Sequence, residues 1–194
     1  NLLTEEARLF LAQLSVFRGG FGLEAATQVA SAIDRSRTLA LLAELVNKSL
    51  VKRAAAGRYE LHQLLHQFAS QKLLELSSSP DNDRLQATHD SHSDFYCNWL
   101  QQCEHALKTR RHKPTISEVE VDIENVREAW RWAARSADLG NLDKALAAYR
   151  RFTRQRYTYS HLWGNAYMGQ GKAALALGHP GSARRVFEDL CVFQ

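Results

Sequence analysis

Apolar residues recur at intervals of three and four through most of the first 76 positions, a spacing that predicts successive short helices. Leu9, Phe10 and Leu14 form one stripe. Thr4 stands ahead of it as a cap, and Glu5 and Glu6 suit the positive end of the helix dipole. The run "RGGFG", Arg18 to Gly22, breaks the pattern. A second helix is predicted over Leu23 to Ala32, with Ala25, Ala26 and Val29 on one side. A third, over Thr38 to Asn47, places Leu39, Leu42, Leu45 and Val46 at helical spacing.

The texture then changes. "SLVKRA" and "RYELH" flank "AAG", which predicts a β-hairpin with Leu50, Tyr59 and Leu61 facing inward. A longer helix is expected from His62 to Leu76, with Leu64, Leu65, Phe68, Leu73 and Leu76 apolar. Three helices, a hairpin and a further helix is the element order of a winged-helix domain, here residues 1–76.

"SSSPDND", Ser77 to Asp83, has the composition of a linker, which we extend to residue 88. Beyond it the pattern is helical throughout: Arg84 to Leu107, Ile116 to Asp138, Leu142 to Arg156, His161 to Leu177 and Gly181 to Val192. Residues 89–194 are therefore expected to form an all-α domain, and the whole chain to be mainly α. A faint repeat supports a tetratricopeptide-like array. "LGNLDKALAAY" (Leu139 to Tyr149) aligns with "LGHPGSARRVF" (Leu177 to Phe187), and Tyr167 and Gly171 stand where such a repeat carries an aromatic and a small residue.

Composition narrows the class. A chain of 194 residues with 45% hydrophobic content can bury a core in one or two domains. No apolar run approaches the ~20 residues that span a bilayer, and no secretory leader is visible. The opening "NLLTEEARLFLAQL", without an initiator Met, reads as part of a longer chain. Cys97, Cys103 and Cys191 lack pair-like spacing and suggest free thiols in a reducing, cytoplasmic setting. Net charge is +4, but from Lys108 onward 15 Lys/Arg face 9 Asp/Glu. Such an excess suits either an anionic partner or ordinary solvated helix faces.

Candidate chemistry is sparse. His62 and His66 are four apart at a predicted helix start, a spacing compatible with metal binding, although no third ligand is evident. "THDSHSDFYC" gathers His89, Asp90, His92, Asp94 and Cys97, and reads more simply as a polar helix start. A winged helix can place its third helix in the DNA major groove. Here that helix is apolar and offers only Glu44 and a terminal Lys48. Arg35 and Arg37 precede it, and Lys52, Arg53 and Arg58 decorate the wing. A groove-reading helix needs Arg, Asn or Gln on its exposed face, so DNA is the less favoured partner.

The basic runs "KTRRHK" and "RRFTRQRY" make Arg150, Arg151, Arg154 and Arg156 candidates for contact with an acidic partner. Trp99, Trp130, Trp132 and Trp163 suit helix-pair cores better than stacking platforms. "EVEVDIE" alternates acid with Val and Ile and reads as a helix lead-in. No G-x-S-x-G, paired catalytic carboxylates or Cys with a base is present, so no enzymatic activity is expected.

"LFLAQLSVFRGGFGLEAA", "LLAELVNKSLV" and "RYELHQLLHQFASQKL" together resemble the winged-helix domain that follows the nucleotide-binding core in STAND-class NTPases of the NB-ARC type. The likeness is greatest to bacterial regulators that carry a tetratricopeptide-like superhelix behind it. "HSDFYCNWL" and "VEVDIENVREAWRWA" are similar to the segments that join the two. The resemblance implies a Met-His-Asp motif at the strand-to-helix junction, whose His approaches the β-phosphate of ADP bound in the preceding domain. Leu61, His62 and Gln63 occupy those positions, with the His kept and an uncharged Gln in place of Asp. It further implies that the ATP/ADP-binding core lies upstream, since no G-x-x-x-x-G-K-[ST] loop occurs, and that the helical array receives an inducer or protein partner. From the residues alone His62 is either a junction residue bonded to backbone or the reader of a bound phosphate.

Overall fold

The computed structural model describes residues 3–30, 33–77, 83–107, 112–135 and the single positions 178, 179, 181, 184 and 185. Helix α1 (Glu5–Gln13) is capped as expected: the Thr4 hydroxyl accepts the Ala7 N–H at 3.1 Å. A 3-10 turn, Leu14–Val16, carries the chain into the glycine-rich segment. Helix α2 (Leu23–Val29) buries Ala25, Ala26 and Val29 and ends earlier than the expected Ala32, its Ala30 cap closing on Ala26. Helix α3 (Arg35–Asn47) begins three residues before the expected Thr38, because the Asp34 carboxylate accepts the Arg37 N–H at 2.7 Å.

Strands β1 (Val51–Arg53) and β2 (Tyr59–Leu61) pair antiparallel in the register Val51 to Leu61 and Arg53 to Tyr59. Between them Gly57, at φ +71°, lets the chain reverse where an L side chain would be strained. Of the expected inward residues, Tyr59 is buried while Leu50 and Leu61 are half-covered, and Val51 takes the deepest place. Phe21 adds a rung by exchanging both backbone hydrogen bonds with Tyr59 at 2.9 Å. This rung binds the glycine-rich segment to the hairpin.

Helix α4 (Gln63–Leu76) buries only Ala69 and Leu73 against the helices beneath it. Leu64, Phe68, Leu74 and Leu76 remain exposed, so most of the apolar set expected from the sequence lies outside the core. Helices α5 (Arg84–Leu107) and α6 (His112–Arg135) follow. They run antiparallel, as their cross-links require: Ser93 Oγ–H donates to Ala129 O, and Trp132 Nε1–H to the Asp90 carboxylate at 2.7 Å. Trp132 also stacks on His89 with ring centroids 4.2 Å apart, so this tryptophan does join a helix pair. "EVEVDIE" lies inside α6 rather than leading into it.

One hydrophobic core runs through all of these elements, from Phe10, Phe17 and Leu42 to Tyr96, Leu100 and Val126. At ~1.5–3 kcal/mol for each large apolar side chain removed from water, burial of this set dominates cohesion. The predicted helices beyond Asp138, the repeat, Trp163, Cys191 and Arg150, Arg151, Arg154 and Arg156 lie outside the described residues, apart from a few isolated positions. Among the described residues no helix is long and apolar enough to cross a membrane.

Candidate functional site

Strand β2 ends where α4 begins, and His62 is the residue between them. Its backbone is extended (φ −64°, ψ 143°), and its Nδ1 accepts the Leu64 N–H over a long 3.4 Å. A neutral ring with Nδ1 accepting carries its proton on Nε2. That N–H has no partner among the described residues, and the side chain is exposed. No acidic side chain occupies the first turn of α4, so the amide ends there keep their positive character. The neighbouring Leu64 and Phe68, 69% and 52% exposed, form an apolar surface on the same helix.

His66, one turn further on, does something different. It is half-buried, its Nε2 lies 3.0 Å from Phe17 O, and Arg18 Nη1 lies 3.0 Å from Nε2 and 3.4 Å from Nδ1. Desolvation, followed by the Arg18 charge, lowers the His66 pKa below its ordinary value. His62 and His66 therefore do not converge on one point, and among the described residues no group of three His, Cys, Asp or Glu is placed to hold a metal ion. Beside them a cleft of about 320 Å³ is lined by Leu14, Phe17, Arg18, Gly19, Glu60, Leu61, Gln63, His66 and Glu124.

Beneath this cleft α6 reaches the winged part of the fold through Asp122 and Asn125, and through Glu128, which pairs with Arg18 at 3.5 Å. Arg58 of the wing donates from Nη1 and Nη2 to the Asp122 carboxylate at 2.7 and 2.8 Å, and from Nη2 to Gly20 O at 2.6 Å. Tyr96 O–H donates to Asp122 at 3.0 Å. The Asn125 amide donates to Gly20 O and Asp122, and its carbonyl accepts the Arg18 N–H at 2.6 Å. The Asp122 hydrogen bonds raise the Arg58 pKa, while burial and the adjacent carboxylate push the Tyr96 phenol up. A Cβ on Gly20 would sit 3.3 Å from Arg58 Nε and Tyr59 O, so glycine permits the close approach on which this network depends.

The basic residues considered for DNA are mostly engaged within the chain. Arg37 holds Glu6, Arg35 lies 3.5 Å from Glu24, and Lys48 lies 3.9 Å from Glu44. Arg58, expected to decorate the wing, turns inward to Asp122. Lys52 and Arg53 are exposed on β1, whereas the outer face of α3 presents Ser36, Leu39, Ala40, Ala43 and Asn47.

Two short helices, a third helix and a hairpin with its following helix thus occur in the predicted order, and residues 3–73 match the model of a winged helix-turn-helix domain. The chain carries a winged helix-turn-helix domain. No curated protein and no solved structure matches the chain. The winged helix is consistent with a DNA-binding or regulatory module.

The "THDSHSDFYC" run departs from the expected polar helix start. His92 and Tyr96 are buried where α5 meets the winged helix, and Cys97 is buried there in reduced form. Asp122, Asn125, Tyr96 and Arg18 were not among the residues the sequence singled out. A signal for Asp122 did exist: Val119, Asp122, Val126 and Ala129 fall on one face of α6, so an acid stands on an apolar stripe.

Proposed function

We propose that this chain is a non-catalytic regulatory portion of a cytoplasmic, STAND-type, ATP-dependent signalling or transcriptional regulator. In this reading the winged helix closes on an ADP-bound core supplied by the upstream part of the protein. The helical region, read as tetratricopeptide-like, receives an inducer or protein partner. The observation that carries the proposal is the β2–α4 junction: an exposed His62 ring with its Nε2–H directed to no described residue, beside the exposed Leu64 and Phe68. A phosphate oxygen suits that N–H and the adjoining helix start, and an apolar domain surface suits the two side chains. Gln63 supplies no charge at the junction, which leaves His62 as the principal phosphate contact.

The test uses the full-length protein purified with and without His62→Ala. Faster loss of co-purified ADP from the variant, with folding intact, is the expected result. Equal retention would return His62 to a capping role. The alternative, a DNA-binding winged-helix module with a helical dimerisation extension, is favoured by the exposed Lys52 and Arg53. It predicts duplex DNA binding by the 194-residue chain that weakens steeply with salt.

A further inference from the structure

The contact between α5 and the winged helix contains a titratable group that neither nucleotide nor DNA binding explains. His92 is 0% exposed, and among the described residues neither ring nitrogen has a partner in hydrogen-bond geometry. Its ring packs edge-on to Phe17 at 5.2 Å and tilted to Tyr96 at 4.8 Å. An imidazole can stay in such a place only while neutral. We propose that His92 is an acid-sensitive latch: protonating it releases the α5–α6 pair from the winged helix.

Of the groups around the ring only the Asn125 side chain favours a charged imidazole, and desolvation outweighs it. From the winged helix, Arg18 contributes like charge, and burial lowers the pKa of His66. From α6, the Asp122 carboxylate is taken by Arg58, Tyr96 and Asn125, and Glu128 pairs with Arg18 at 3.5 Å and with Arg131. The Asn125 amide is committed to Gly20, Asp122 and Arg18. On α5 itself, His89 adds repulsion and stacks on Trp132, and Asp90 accepts the Trp132 N–H. Desolvation, then His89, lowers the His92 pKa from 6.5 to about 3 in the docked state.

The direction follows by linkage. The released ring binds a proton below pH 6.5 and the docked ring does not, so docking is fully supported above pH 6.5 and is lost progressively as pH falls toward 3. The docking equilibrium is expected to weaken about tenfold by pH 5.5 and about thirtyfold by pH 5.

The test is small-angle scattering of the whole chain from pH 7.5 to 4.5, with far-UV circular dichroism on the same samples. The expected result is a rise in radius of gyration in acid with helicity retained, displaced to lower pH in His92→Phe but kept in His66→Gln. No expansion in the wild type, or the same expansion in His92→Phe, overturns the proposal. Should His92→Phe fail to fold, the histidine ring signals of the wild type decide by NMR. A His92 signal silent until the expansion supports the latch, and one that titrates near 6.5 in the compact state overturns it.

Discussion

Arg58 on the wing and Asp122 on α6 are 64 residues apart in the chain and meet in a two-pronged ion pair at 2.7 and 2.8 Å. Their side chains are only 20% and 12% exposed. Planar guanidinium against carboxylate, with both oxygens used, is the geometry in which such a pair is strong. The pair also commits a wing cation that a nucleic acid would otherwise meet.

Removing the acid alone leaves that cation without its partner and frees Tyr96 and Asn125 from a shared acceptor. Asp122→Ala is expected to cost ~3 kcal/mol, and Arg58→Lys, which keeps charge but loses the fork, about half as much. Urea denaturation followed by tryptophan fluorescence measures both. A loss below ~0.5 kcal/mol for Asp122→Ala would show that the network contributes little.

Tyr96→Phe deletes one hydroxyl from the same site and keeps the ring packing against Phe17. The expected loss is ~1 kcal/mol. In a double-mutant cycle with Asp122→Ala the two effects should be distinctly non-additive, because they act on one carboxylate.

Gly20→Ala places a methyl 3.3 Å from Arg58 Nε and Tyr59 O. One neighbour is backbone and cannot easily yield. A destabilisation of ~1–3 kcal/mol is expected, together with partial loss of the Arg58 pair. The Arg58→Lys background should blunt the effect.

The two sides of α4 should respond oppositely to truncation. Leu73→Ala is expected to cost ~2–4 kcal/mol, since Leu73 is almost fully buried. Leu64→Ser and Phe68→Ser should change stability by ~0.5 kcal/mol or less, as their surface is already in water. Thermal denaturation of the three variants settles the ranking.

Local signals were the ones legible in the sequence. Thr4 caps α1, the "AAG" turn closes the hairpin, and α4 starts right behind His62, because each depends on a few adjacent residues. Asp34 capped α3 three residues earlier than the apolar spacing suggested, since the stripe marks the packed turns and not the cap. The apolar set of α4 misled for a different reason. Leu64, Leu65, Phe68, Leu73, Leu74 and Leu76 lie around much of the helix, and which side is covered depends on where α1 and the 3-10 turn pass. Helical periodicity carries no record of that.

The polar network was hidden by distance along the chain. Arg58 reads as a solvent-facing wing residue because its partner is in another helix far downstream. His92 reads as polar because its neighbours in sequence are polar, while its neighbours in space are Phe17 and Tyr96. Only the placement of Asp122 on an apolar stripe foretold a buried charge, and nothing local named its partner.

Because Phe17, Tyr96 and Val126 belong to one core, a chain cut after Leu76 would bare one flank of that core and leave the Arg58 guanidinium and the Gly20 carbonyl facing water. Above pH 6.5, where docking is fully supported, the unit that melts as one therefore extends through α6. Hydrogen exchange should assign the wing and the end of α6 a common opening energy, although a reader of the sequence would place them in different modules.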